Sequence, residues 1–196
     1  SIDVYRRDVK AERNIIDFGA YVVMFPQLIA VPIGVFSAIY LVEYSNRGSK
    51  FQMTLVKIIR MTTETLQGIP SIVFGLFGFL AFAVACRFSY SLLGGAITMA
   101  LMVLPLIIRT AQEALRTIPA GQREASFGLG AGKGRTALHV LLPAAFPGML
   151  AGILLAVGRI TGESAALLFT AGTGGERVDS VFSSAATLAV ALYAMM

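Results

Sequence analysis

Apolar stretches alternate with short polar connections along the whole chain, and the stretches are too long and too uniformly apolar for the exposed helices of a soluble domain. Residues 18–42, 65–86 and 88–108 carry no charge, and residues 142–169 are interrupted only by Arg159 and Glu163. Crossing the hydrocarbon core takes about 20 residues of helix, and unpaired backbone groups in lipid are too costly for other open structures. The pattern therefore predicts an all-α, polytopic membrane protein with four spans. Pro26, Pro32, Pro70 and Pro105 fall within or at the edges of these spans, where each predicts a kink or a helix start. Residues 181–196 are mostly small and apolar but too few to span comfortably. They predict an extracytoplasmic helix, with a truncated span as the alternative.

Composition strengthens that picture: 56% of residues are hydrophobic and 14% charged, and the mean hydropathy is +0.76. Such values belong to the membrane class. The net charge of +5 comes from sixteen Lys and Arg scattered through the connections rather than gathered in one run, which argues against nucleic-acid binding. Their distribution reports orientation instead. Arg47, Lys50, Lys57 and Arg60 share a side with Arg109, Arg116, Arg123, Lys133 and Arg135, and outnumber Arg6, Arg7, Lys10, Arg13, Arg87 and Arg177 opposite. The connection 109–141 is accordingly expected to be cytoplasmic, with the basic N-terminal segment as a counter-signal. A lone Cys86 and a lone His139 offer neither an intrachain disulfide nor a Cys/His metal cluster. The charged opening segment lacks the apolar region of a secretory signal, and the last residues are apolar to the end. Both ends are expected to be those of a fragment of a single transmembrane domain spanning 1–196, with terminal spans missing.

The connection 109–141 carries the most local information. Pro119 suits the first turn of a short helix, and Gly128, Gly130, Gly132 and Gly134 are placed to end it. That helix is expected to present Arg123, Glu124, Ala125 and Ser126 on a compact surface that a partner protein can grip. The glycine run superficially imitates a phosphate-cradling loop, but Phe127 stands where the first Gly of a Walker A motif belongs, and Gly134 where its Ser or Thr belongs. The chain is therefore not expected to bind or hydrolyse ATP itself. His139 is read as a surface or interface residue.

Arg159 and Glu163 are four residues apart in the last apolar stretch, which in a continuous helix puts them on one face. A charge at the centre of a membrane helix costs about 2.5–3.5 kcal/mol before pairing. An ion pair facing a protein interior or a water path is the functional reading, and a helix-packing pair the structural one. Gly158 and Gly162 beside them suit either close helix packing or access for a small anion. Arg109, at the end of the third span, either belongs to the same anion path or snorkels to the headgroups.

Glu124-Ala125-Ser126, then Gly130-Ala131, then Val140-Leu141-Leu142-Pro143 resemble the cytoplasmic EAA loop of binding-protein-dependent ABC importer permeases, where a separate ATPase docks. EASFGLGAGKGRTALHVLLPAAFPGMLAGILLAVGRITGESAALLFTAGT at 124–173, AVPIGVFSAIYLVEY at 30–44 and GIPSIVFGLFGF at 68–79 further resemble the phosphate-importer permeases of the PstA type. Ser126 for the usual second Ala, Val140 for Ile and Ser164 for the commoner Thr are mild departures. The resemblance implies a type I ABC-importer transmembrane-domain fold in the bacterial cytoplasmic (inner) membrane. It implies a PstC-type sister permease, a dimer of PstB-type ATPases and an extracytoplasmic phosphate-binding protein as partners, in contact with the lipid bilayer. It places Arg159, Glu163 and Arg109 on the phosphate pathway, and Arg123, Glu124, Ala125, Ser126, Gly130, Leu142 and Pro143 at the ATPase coupling loop. No cofactor is expected on this chain, ATP and magnesium belonging to the ATPase. The alternatives are a permease for another oxyanion, such as molybdate or sulfate, and a non-transporting membrane scaffold.

Overall fold

A computed structural model describes residues 24–43 and 50–172. The basic N-terminal segment, Arg47, Arg177 and the 181–196 stretch lie outside the described residues. The described residues form seven helices and no strand: α1 (Phe25–Glu43), α2 (Lys50–Gln67), α3 (Ser71–Ala85), α4 (Leu92–Arg116), α5 (Ala120–Gly128), α6 (Lys133–Thr161) and α7 (Ala165–Thr170). Phe79–Ala85 in α3 and Ala137–Leu141 near the start of α6 are π-helical.

Among the described residues three helices are long and apolar enough to cross a membrane, α1, α4 and α6, and the broken pair α2–α3 makes a fourth candidate. Of the apolar window in each, 67% is buried for α4 but only 39% for α1 and 28% for α6. Phe36 in α1 and Leu154 and Leu155 in α6 accordingly stay exposed, as lipid-facing side chains do.

Helix boundaries differ from the hydropathy pattern at four places, the first being the stretch 88–108, whose helix α4 runs Leu92–Arg116 and so carries Arg109 and Arg116 within it. The stretch 65–86 is not one straight helix, because Pro70 sits in extended conformation and pushes the preceding residue out of the α region, ending α2 before α3 begins. The connection 43–64 is largely α2: Val56, Ile59, Thr63 and Leu66 recur at helical spacing on its inner side, while Lys57, Arg60 and Glu64 lie on its exposed side. The last span starts at Lys133 rather than 142 and stops at Thr161 rather than 169, so Glu163 stands in a break before the six-residue α7.

The chain divides into two compact units whose boundaries fall inside helices. In one, residues 69–103 and 157–172 bring α3, the first half of α4 and α7 together. An ideal Cβ on Gly75 would lie 2.8 Å from the Ala166 Cα, so α3 and α7 meet backbone to backbone. The buried hydroxyls of Thr98 and Thr170 donate to the carbonyls of Gly94 and Ala166, 2.8 Å away in both cases, which satisfies polar groups that lipid cannot. In the other unit, residues 30–68 and 104–156, Ala38 and Ile39 of α1 pack with Ala111, Ala114 and Leu115 of α4 and with Leu141, Ala145 and Met149 of α6. This second core lies directly under α5.

Candidate functional site

α5 is held from several sides by side chains of its own sequence. Pro119 precedes it in extended conformation, and Ile118 before that is buried in the core shared by α1, α4 and α6. Arg123 donates through Nη2 to the Leu115 carbonyl at the end of α4, 2.9 Å away, and its Nε lies 3.2 Å from Glu43 Oε1 at the end of α1. The hydroxyls of Ser126 and Thr136 share a hydrogen bond of 2.8 Å, tying α5 to the first turn of α6. Between them Gly130, at φ +80°, turns the chain in a conformation that costs glycine little.

These anchors sort the sequence-predicted coupling residues. Glu124, Ala125, Gly130 and Pro143 are exposed, whereas Ser126 is buried and Leu142 packs against the core. Of the residues that the sequence places at the coupling loop, Arg123 and Ser126 face the protein, where their hydrogen-bond partners lie on α4 and α6. Phe127 and Leu129 join the outward face instead, and Leu129 is 90% exposed. An apolar residue wedged between Gly128 and Gly130 was the available signal for it. The result is a carboxylate, a small residue and an apolar side chain on one short, braced helix, with Leu129 just beyond its end, a combination suited to insertion into a protein groove.

Ser126→Ala is expected to lower stability by about 1–3 kcal/mol, because it strands the buried Thr136 hydroxyl. Adding Thr136→Val should recover much of that loss, since both polar partners are then gone. Thermal unfolding of the purified protein in detergent would measure both variants.

The expected ion pair between Arg159 and Glu163 does not form. α6 ends at Thr161, so the four-residue spacing no longer places the two side chains in helical phase. Glu163 is half-buried and accepts a weak 3.4 Å hydrogen bond from the Ala166 N–H, at the entrance to α7. Arg159 is exposed, with no hydrogen bond or ion pair to any described residue, and its planar guanidinium is available to an anion.

Arg109 belongs to the other unit and is already engaged. Its Nε lies 3.2 Å from Glu113 Oε1, and its Nη1 donates to Gln67 Oε1 at 3.2 Å. Gln67 in turn donates from Nε2 to the Pro105 carbonyl at 3.1 Å. The surrounding cleft, of about 180 Å³, is lined also by Arg60, Glu64 and Arg116.

Residues 30–196 match the family described as binding-protein-dependent transport system inner membrane component. The chain is 34% identical over 186 residues to the probable ABC transporter permease protein YqgI of Bacillus subtilis, covering 88% of this chain and 62% of that protein. It is 37% identical over 145 residues to the phosphate transport system permease protein PstA 1 of Mycobacterium tuberculosis, covering 74% of this chain and 46% of the relative. Against the phosphate transport system permease protein PstA of Yersinia pestis it is 37% identical over 157 residues, 80% of this chain and 51% of the relative. The chain thus spans about half to three fifths of the length of these relatives.

Proposed function

The chain belongs to the binding-protein-dependent transport system inner membrane components, and from that premise we propose that it is a permease subunit of an ATP-driven importer of inorganic phosphate. α5 receives the movement of a separate ATPase dimer, and the membrane helices, with those of a sister permease, pass the anion delivered by an extracytoplasmic binding protein. The chain itself binds no nucleotide, ATP and magnesium being held by the ATPase, and it resides in the bacterial inner membrane.

The observation that carries this reading is the braced α5, with Glu124, Ala125 and Phe127 outward on it and Leu129 exposed just beyond its end. Leu129 is 90% exposed and so contributes little packing among the described residues. An apolar side chain this exposed is expensive in water and favourable in a partner's pocket, where its burial contributes about 1.5–3 kcal/mol. Phosphate as the cargo is supported by two relatives named as phosphate transport permeases and by the Arg159 guanidinium, which has no partner among the described residues.

Leu129→Asp is expected to leave the protein folded and in the membrane while reducing copurification of the ATPase at least roughly tenfold. Unchanged copurification from Leu129→Asp and Glu124→Ala together would defeat the docking assignment. Since YqgI is named without a substrate, the cargo is tested by comparing phosphate, sulfate and molybdate uptake in the reconstituted complex. Stimulation of ATP hydrolysis by sulfate or molybdate but not by phosphate would replace phosphate as the substrate.

A further inference from the structure

Arg123 sits next to Glu124 in sequence but points the opposite way, into the protein. Its partners are two helix ends. Leu115 lies in the last turn of α4, and the residue four positions on, which would normally donate to its carbonyl, is Pro119 with no N–H to give. The Arg123 Nη2 fills that vacancy at 2.9 Å. Glu43 is the last residue of α1, where a carboxylate opposes the helix dipole, and its side chain is only 11% exposed. Arg123 Nε approaches Glu43 Oε1 to 3.2 Å, with both atoms sealed from solvent and aligned for charge attraction rather than for a hydrogen bond. One guanidinium thus offsets two unfavourable helix termini at once, from the middle of α5.

We infer that Arg123 is a positioning residue that latches α5 to the ends of α1 and α4, so that a push received on the Glu124 side of α5 moves both helices together. The inference rests on the reading of α5 as the ATPase-receiving helix and adds the route by which its displacement enters the membrane helices. A charge pair largely shielded from water is screened by salt and loosened by competing water much less than an exposed pair, so it transmits force that an exposed pair would dissipate. The nearby Ser126–Thr136 hydrogen bond holds the other end of α5 to α6, leaving the helix little freedom to tilt alone.

The test is the amount of inorganic phosphate taken up per ATP hydrolysed by the complete importer in proteoliposomes. Glu43→Gln and Arg123→Gln are expected to keep the ATPase bound and hydrolysing while this ratio falls roughly tenfold, within the span of coupling-network mutations. The double variant should be no worse than either single one, because the interaction is already lost. Arg123→Lys should recover only part of the ratio, since an ammonium keeps the charge but does not reproduce the fork that reaches both partners. It also carries the comparison if Glu43→Gln fails to accumulate. A wild-type ratio in Glu43→Gln, losses that multiply in the double variant, or detachment of the ATPase in step with lost uptake would each overturn the latch. A wild-type complex that recruits no ATPase would instead sink the reading of α5 on which the latch rests, and the latch with it.

Discussion

Gly75→Leu is expected to be among the most damaging single substitutions in the described chain, lowering the melting temperature in detergent sharply or preventing accumulation altogether. An ideal Cβ at this position lies 2.8 Å from the Ala166 Cα, 3.2 Å from the Ala165 carbonyl oxygen and 3.3 Å from that of Ala166. All three are backbone atoms, so no side chain can swing aside, and α3 must separate from α7. Overpacking a well-filled core typically costs about 1–3 kcal/mol, and separating two backbones belongs at or above the top of that range. Gly121→Ala supplies the contrast, because an added Cβ there meets nothing within 4 Å and lies inside α5. It should be neutral or slightly stabilising. Equal melting temperatures for Gly75→Leu and the parent protein would show that α3 and α7 do not pack as described.

Arg159→Gln is expected to produce the largest functional loss at unchanged stability. The guanidinium has no partner among the described residues, so its removal leaves no internal group stranded. If it ligates a passing anion, the lost charge-assisted hydrogen bonds are worth about 1.5–3 kcal/mol, or roughly a 10- to 100-fold fall in phosphate uptake. Glu163→Gln separates charge from structure, since the amide oxygen still accepts from the Ala166 N–H. Uptake of labelled phosphate by proteoliposomes, with subunit assembly checked in the same preparation, measures both. Full-rate transport by Arg159→Gln would remove this residue from the phosphate path.

Hydropathy located α1 and α4 within the described chain because a membrane span is a property of composition over about 20 residues, which averaging detects. It missed α2, whose charges at Lys57, Arg60 and Glu64 look like those of a loop until their helical spacing is counted against Val56, Ile59 and Thr63. It also ran the last span through Glu163, since small and apolar residues continue beyond the point where the helix stops. The EAA-like spacing marked where α5 would be, but not which way its side chains face. Arg123 and Ser126 look like docking residues in sequence. Their orientation depends on Glu43, Leu115 and Thr136, which adjoin them only after α1, α4 and α6 have packed.

The π-helical turn at Ala137–Leu141 has a rotational consequence for α6. Ala137, Leu141, Ala145 and Met149 are all buried in one core at intervals of four, yet a straight α-helix turns about 100° per residue, so each such step drifts by about 40°. Three steps would carry Met149 about 120° around the helix from Ala137, well off a single stripe. The π turn takes more residues per revolution and cancels part of the drift at its first step. One residue removed from 137–141 would restore an ordinary helix while swinging everything beyond it around the axis. The wide turn thus acts as a phase corrector, letting one helix begin as the clasp of a loop and continue, in register, as a wall of the bundle.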